Sequence, residues 1–196
     1  MTRTSRGLAL GLTLAGCAFA VLAHAMVLGA SGQDPVATPV GALSSTPLGA
    51  WHGAGIAAFA LAHLSLAWLL GHRPTGALRQ VARVCLVLAA AALVYVALWF
   101  ASVEPAALVG DGVNDRLPVP ASLVGAAMGF LLPGLWRTDR AAGLFDAACF
   151  VLWLALTAAV PLVTPAWIGA YERAVGAVYV AWAAGTALFA AASRSA

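Results

Sequence analysis

Six apolar runs, each about as long as a bilayer is thick, leave this chain few folds to choose from. A spanning helix needs about 20 predominantly apolar residues. The runs fall at about residues 7–30, 48–70, 81–102, 119–136, 142–163 and 167–192, and the segments between them are short. The pattern predicts an all-α polytopic transmembrane bundle, with residues 1–196 forming a single integral membrane domain. The charge content supports this. Only 9% of the 196 residues are charged and 63% are hydrophobic, whereas soluble domains carry about a quarter charged residues. A soluble chain of this size could not hide so much apolar surface.

The net charge of +3 comes entirely from arginine, because the chain holds no lysine. A retinal Schiff base, a P-loop and a lysine nucleophile are thereby excluded. The arginines stand singly or in pairs between apolar runs and form no basic face, so nucleic acid is not an expected partner. Their placement also predicts orientation. With the N-terminus in the cytoplasm, the inner segments hold eight arginines (3, 6, 73, 79, 83, 137, 140 and 194) and the outer segments two, Arg116 and Arg173. By the positive-inside rule both termini are cytoplasmic. Heavy use of Ala, Gly, Val and Arg suggests a GC-rich bacterial genome, so the expected location is a bacterial inner membrane. Trp51, Trp99, Trp136 and Trp167 fall near predicted helix ends, where interfacial aromatics belong.

The first run imitates a signal peptide. Arg3 and Arg6 precede it, Ala23-His24-Ala25 resembles a cleavage site, and Leu14-Ala15-Gly16-Cys17 matches a lipoprotein box. It is nevertheless longer than the 7–15 residues of a signal-peptide core, and it reads as a retained anchor. The following connection, residues 31–50, is broken by Pro35, Pro39 and Pro47, so it is expected to lie along the surface or dip back over the bundle. Cys17, Cys85 and Cys149 sit at scattered depths in apolar runs, with no disulfide framework and no metal spacing. They read as small buried hydrophobes.

Polar groups at lipid depth are costly and mark sites worth attention. Three of the four histidines lie between residues 52 and 72, in and just after the second run. His52 and His63 are eleven residues apart, hence on one helix face and about 16 Å apart, too far for one metal. His24 and His63 are candidate intramembrane polar groups. They are also the one pair of histidines that could ligate haem b from two helices, a cofactor reading kept as an alternative to no cofactor at all. Without haem, His63 reads as a neutral ring bonded to a neighbouring helix. At the outer side, Asp34, His52, Asp111, Asp115, Arg116, Glu172 and Arg173 are candidates for one polar vestibule. Within it, His52 at the start of the second helix is expected near Glu172 at the start of the sixth. The competing reading makes Glu172-Arg173 a helix-start ion pair, with Glu172 favoured by the helix dipole. At the inner side Asp146 lies about one turn into the fifth helix and is expected to form salt bridges among Arg83, Arg137 and Arg140. Gly7/Gly11, Gly49/Gly53 and Gly125/Gly129 have GxxxG spacing, which allows close helix contact.

No HExxH, GxSxG or GxGxxG occurs, and no carboxylate pair lies within a helix core. No catalytic residue is assigned, which leans against an enzyme. The closing YERAVGAVYVAWAAGTALF, Asp34 and the Leu43-Ser44 step before the second helix resemble a bacterial and archaeal membrane family known as domain of unknown function 998. The matching positions are Asp34, Leu43-Ser44, Gly169-Ala170-Tyr171-Glu172-Arg173 and Trp182. Pro118-Val119-Pro120 stands where many members carry a histidine. The resemblance implies a six-helix membrane fold and no particular activity. Two functional classes stay open. One is a non-catalytic partner, regulator or scaffold in the cell envelope, in contact with lipids and with another membrane protein or further copies of itself. The other is a small transporter or lipid-binding protein served by the outer vestibule.

Overall fold

The helix starts are chosen by side chains that satisfy otherwise unbonded backbone N–H groups. Thr2 accepts from Ser5 N at 3.1 Å and opens α1, Arg3–Ser31, which ends at Gly32 in the left-handed conformation with φ 64°. A glycine there carries no Cβ penalty. Asp139 accepts from Ala142 N at 3.1 Å and opens α5, Arg140–Ala159. These caps, five and three residues upstream of the apolar runs they serve, explain why both helices begin earlier than hydropathy alone predicts. The computed structural model describes residues 2–71, 76–102 and 118–192. The other helices are α2, Gly49–Leu70; α3, Ala77–Ser102; α4, Pro118–Thr138; and α6, Ile168–Ala192. After α5 the chain passes through a short turn of 3-10 helix at Val160–Leu162. Pro161 cannot continue an α-helix without losing a backbone bond, and this ends α5 ahead of the predicted position.

Among the described residues there is no strand, and six helices are long and apolar enough to cross a membrane. The protein is an all-α bundle of membrane-length helices. Consecutive helices pack side by side, and α6 returns to touch both α1 and α2, closing the ring. Half of the α2 span is buried, against 17% of the α5 span, and α2 packs against α1, α3 and α6. The core runs through Leu66, Leu70, Leu86, Met128, Leu131 and Trp182.

The tightest approach of α1 to α2 is made by glycines outside the GxxxG spacings. A Cβ on Gly16 would overlap the Ala58 carbonyl oxygen, and one on Gly55 would stand 3.0 Å from Ala23 Cβ. Of the three spacings, Gly125/Gly129 is used, but by rings: Trp153 and Phe150 of α5 lie over the two glycines. Gly7 and Gly11 face open space, and Gly49 makes room for the carbonyl of Ser44 in its own connection. The Tyr179 hydroxyl joins three helices. It accepts from Trp153 Nε1 at 2.7 Å and donates to the Ala121 carbonyl at 2.9 Å.

Candidate functional site: a strap latched to the sixth helix

The connection between α1 and α2 is a strap that lies across the start of α6. Locally it is shaped by turn chemistry. Asp34 Oδ1 accepts from Val36 N at 2.8 Å, and Thr38 N donates to the Asp34 carbonyl at 2.9 Å. An Asp side chain bonding two residues ahead is a common way to start a turn. A 3-10 segment, Val40–Ser45, follows and buries Leu43 fully. The connection therefore dips over the bundle.

Four residues of α6 fasten the strap. Ala170 N donates to the Val36 carbonyl at 2.9 Å. A Cβ at position 169 would overlap the Thr38 carbonyl oxygen, so Gly169 lets the strap lie directly on the helix backbone. Val40 N donates to Glu172 Oε2. Arg173 donates through Nη1 to the carbonyls of Pro35 and Thr38, at 2.8 and 2.9 Å, and through Nε to His24 Nε2 at 3.1 Å. The planar guanidinium is the side chain suited to this task, because its donors are held in a fixed fork. Accepting from Arg173 requires a lone pair on His24 Nε2, so the imidazole is neutral with its proton on Nδ1.

Of the seven residues predicted at an outer vestibule, Asp34, His52, Glu172 and Arg173 come together here. Asp111, Asp115 and Arg116 lie outside the described residues. The neighbour of His52 differs from the one expected. Its ring sits 5.6 Å from the His24 ring and against the backbone of Val40, while Glu172 takes the Val40 N–H. Val40 thus links the two groups that the sequence places in direct contact. His52 is buried in this cluster, Glu172 and Arg173 are half-buried, and Asp34 is exposed. The sequence does not reveal His24 as part of this cluster. It belongs to the last third of α1, and only the return of α6 to α1 brings Arg173 to it. The positions that carry the family resemblance converge here as well: Asp34, Leu43-Ser44, and Gly169 through Arg173.

Trp182 belongs to a second polar centre. Its indole Nε1 donates to Oδ1 of Asp146, and both residues are 0% exposed. This corrects the expected salt bridges among Asp146, Arg83, Arg137 and Arg140. Asp146 follows Arg140 by six residues, which places the two on different faces of α5 at 3.6 residues per turn. Asp146 faces α6, and its Oδ2 is buried without a partner. Arg83 is occupied elsewhere: Nε donates to the Ala67 carbonyl at 3.0 Å and Nη1 to Gln80 Oε1 at 2.7 Å. It caps the end of α2, where a cation complements the helix dipole. Arg137 and Arg140 are exposed.

His63 is fully buried and bonds within its own helix. Its Nδ1–H donates to the Phe59 carbonyl at 2.8 Å, and its Nε2 is buried without a partner. The expected bond to another helix is replaced by this local one. His24 pairs with His52 and Arg173 at the strap, so it does not face His63. Among the described residues no group of three or more His, Cys, Asp or Glu is placed to hold a metal ion. No family model, curated protein or solved structure matches the chain.

Proposed function

We propose that this chain is a non-catalytic multi-pass protein of a bacterial inner membrane, with both termini in the cytoplasm, serving as a partner or scaffold for other envelope components. The observation that carries this reading is the use made of Arg173 and Glu172. The charged groups at the start of α6 are spent on holding the strap: Glu172 takes the Val40 N–H and Arg173 reaches the Pro35 and Thr38 carbonyls and His24. Groups so engaged are arranged to fix a surface rather than to turn over a substrate. Membership of the family known as domain of unknown function 998 is part of the proposal, supported by the convergence of its resembling positions at the strap. The arginine asymmetry supports the orientation.

A second reading, a small transporter or lipid-binding protein, is favoured by the buried polar atoms left without partners, Arg173 Nη2 and Ser44 Oγ at the strap and His63 Nε2 deeper in. Buried polar groups ordinarily find a partner, and a bound solute would provide one. One experiment separates the two. The protein is extracted from its own membrane in mild detergent, its assembly mass is measured, and it is reconstituted alone into vesicles. The proposal expects a stoichiometric second membrane protein or further copies, and vesicles that move no solute. Recovery as a lone monomer whose vesicles do transport would reject it in favour of the second reading. Reduced and oxidised visible spectra of the same sample test the haem b alternative, which requires a Soret band.

A further inference from the structure

At the end of the bundle opposite the strap, the start of α3 and the last turns of α4 line a cleft of about 280 Å³. Its walls combine two arginines, Arg79 and Arg137, with Phe130, Leu131 and Pro133. Arg79 reaches from the first turn of α3 toward α4, and its Nη2 stands 3.6 Å from where a Cβ on Gly134 would be. The missing side chain at Gly134 is what leaves room for the guanidinium beside the α4 backbone. Arg79 is only 8% exposed, so this charge is held within the protein and does not spread into bulk water.

Among the described residues, the two acids of α5 and its cap are engaged elsewhere. Asp139 is occupied as the cap of α5 and Asp146 by Trp182, and neither lines the cleft. The depth of the lining is equally informative. Arg79 and Arg137 lie within three residues of the ends of their apolar spans, at the level of lipid headgroups. Phe130 lies seven residues further into α4 than Arg137, about 10 Å deeper at 1.5 Å per residue, at the level of acyl chains. A free phosphate would use only the arginine end of such a cleft. A molecule with a negative head and an apolar tail uses all of it. Basic pockets between membrane helices are suited to anionic lipid headgroups on these grounds, with guanidinium the preferred donor to phosphate oxygens.

We infer that the α3–α4 cleft is a binding site for an anionic phospholipid, its phosphate held by Arg79 and Arg137 and its acyl chain laid along Phe130 and Leu131. The inference is independent of the partner or scaffold reading, because it concerns the other end of the bundle and none of the strap residues. It is tested by native mass spectrometry of the detergent-purified protein titrated with palmitoyl-oleoyl phosphatidylglycerol and, separately, with phosphatidylcholine of the same chains. The expected result is tighter binding of phosphatidylglycerol. Arg137→Gln, a change at an exposed position, should weaken it about fivefold, the scale of one arginine near a headgroup. Arg140→Gln lies outside the cleft and should leave binding unchanged. Gly134→Leu fills the cleft at constant charge and should weaken both head and tail contacts. Equal binding of the two lipids, equal losses from Arg137→Gln and Arg140→Gln, or unaltered binding to Gly134→Leu would each overturn the site. So would displacement of the lipid by excess inorganic phosphate, which would make the ligand a free anion.

Discussion

Trp182 and Asp146 are both fully buried and bonded to each other. A carboxyl group at lipid depth is expensive unless it is bonded, and the indole N–H is its one partner, since Oδ2 has none. Replacing Trp182 with Phe keeps most of the apolar volume and removes the donor, leaving both oxygens of Asp146 unbonded. The expected cost is about 1–3 kcal/mol, the penalty of an unsatisfied buried polar group. Thermal unfolding in detergent would measure it. If Asp146→Leu in the Trp182→Phe background restores stability, the cost lies in the stranded carboxyl and not in the lost ring. An unchanged unfolding temperature for Trp182→Phe alone would show that the bond contributes nothing. This pairing was not legible in the sequence. Nearness along the chain suggests Arg137 and Arg140 as partners of Asp146, but its direction on α5 points it at α6.

At the scale of elements, the strap and α6 depend on each other. The strap is rich in proline and has few backbone bonds of its own, so its order should derive largely from Ala170 N, Glu172 and Arg173. Arg173→Ala removes two of the strap's hydrogen bonds, and the bond to His24 of α1, at once. Amide hydrogen exchange within residues 33–42 should then rise at least tenfold, corresponding to the loss of about 1.4 kcal/mol of local protection. Exchange in α3 and α4, which take no part in these bonds, should stay as in the wild type. Arg173→Lys should fall between the two, because one ammonium cannot reproduce the fork that spans two carbonyls and an imidazole. A strap equally protected in Arg173→Ala would mean that Leu43 and the buried 3-10 segment hold it unaided. The sequence already placed Glu172 and Arg173 at a helix start and Asp34 on the same side of the membrane. Their engagement with backbone groups of residues 35–40 was out of reach, since a carbonyl's partner leaves no trace in residue identity.

For the whole molecule, the proposed orientation makes a direct prediction. Gln33 and Ala77 are exposed and lie at opposite ends of the bundle. The native Cys17, Cys85 and Cys149 are all buried and should react slowly. In intact cells a membrane-impermeant maleimide should therefore label Gln33→Cys, while Ala77→Cys should need permeabilised membranes. The reverse pattern would invert the topology and place the α3–α4 cleft in the outer leaflet. The closure of the ring by α6 also means that α1 is held from two sides, by α2 and by α6.

Existence, number and approximate limits of the six helices were determined by the sequence alone, because in lipid these are local matters. Run length decides whether a segment spans, and lipid forces the backbone to bond within the segment. The ends shifted by a few residues, for instance where the caps Thr2 and Asp139 took over from hydropathy and where Pro161 stops α5. Which helix faces meet was decided by the tertiary structure. α2 is apolar all round and offers no amphipathic stripe to declare its inner face. Faces were matched instead by shape, with Gly16 admitting Ala58, Gly125 admitting Trp153 and Gly169 admitting the strap. Such contacts depend on two segments fitting each other, which hydropathy along either one does not encode. The meeting of His24 with Arg173 and of Asp146 with Trp182 followed from that fit.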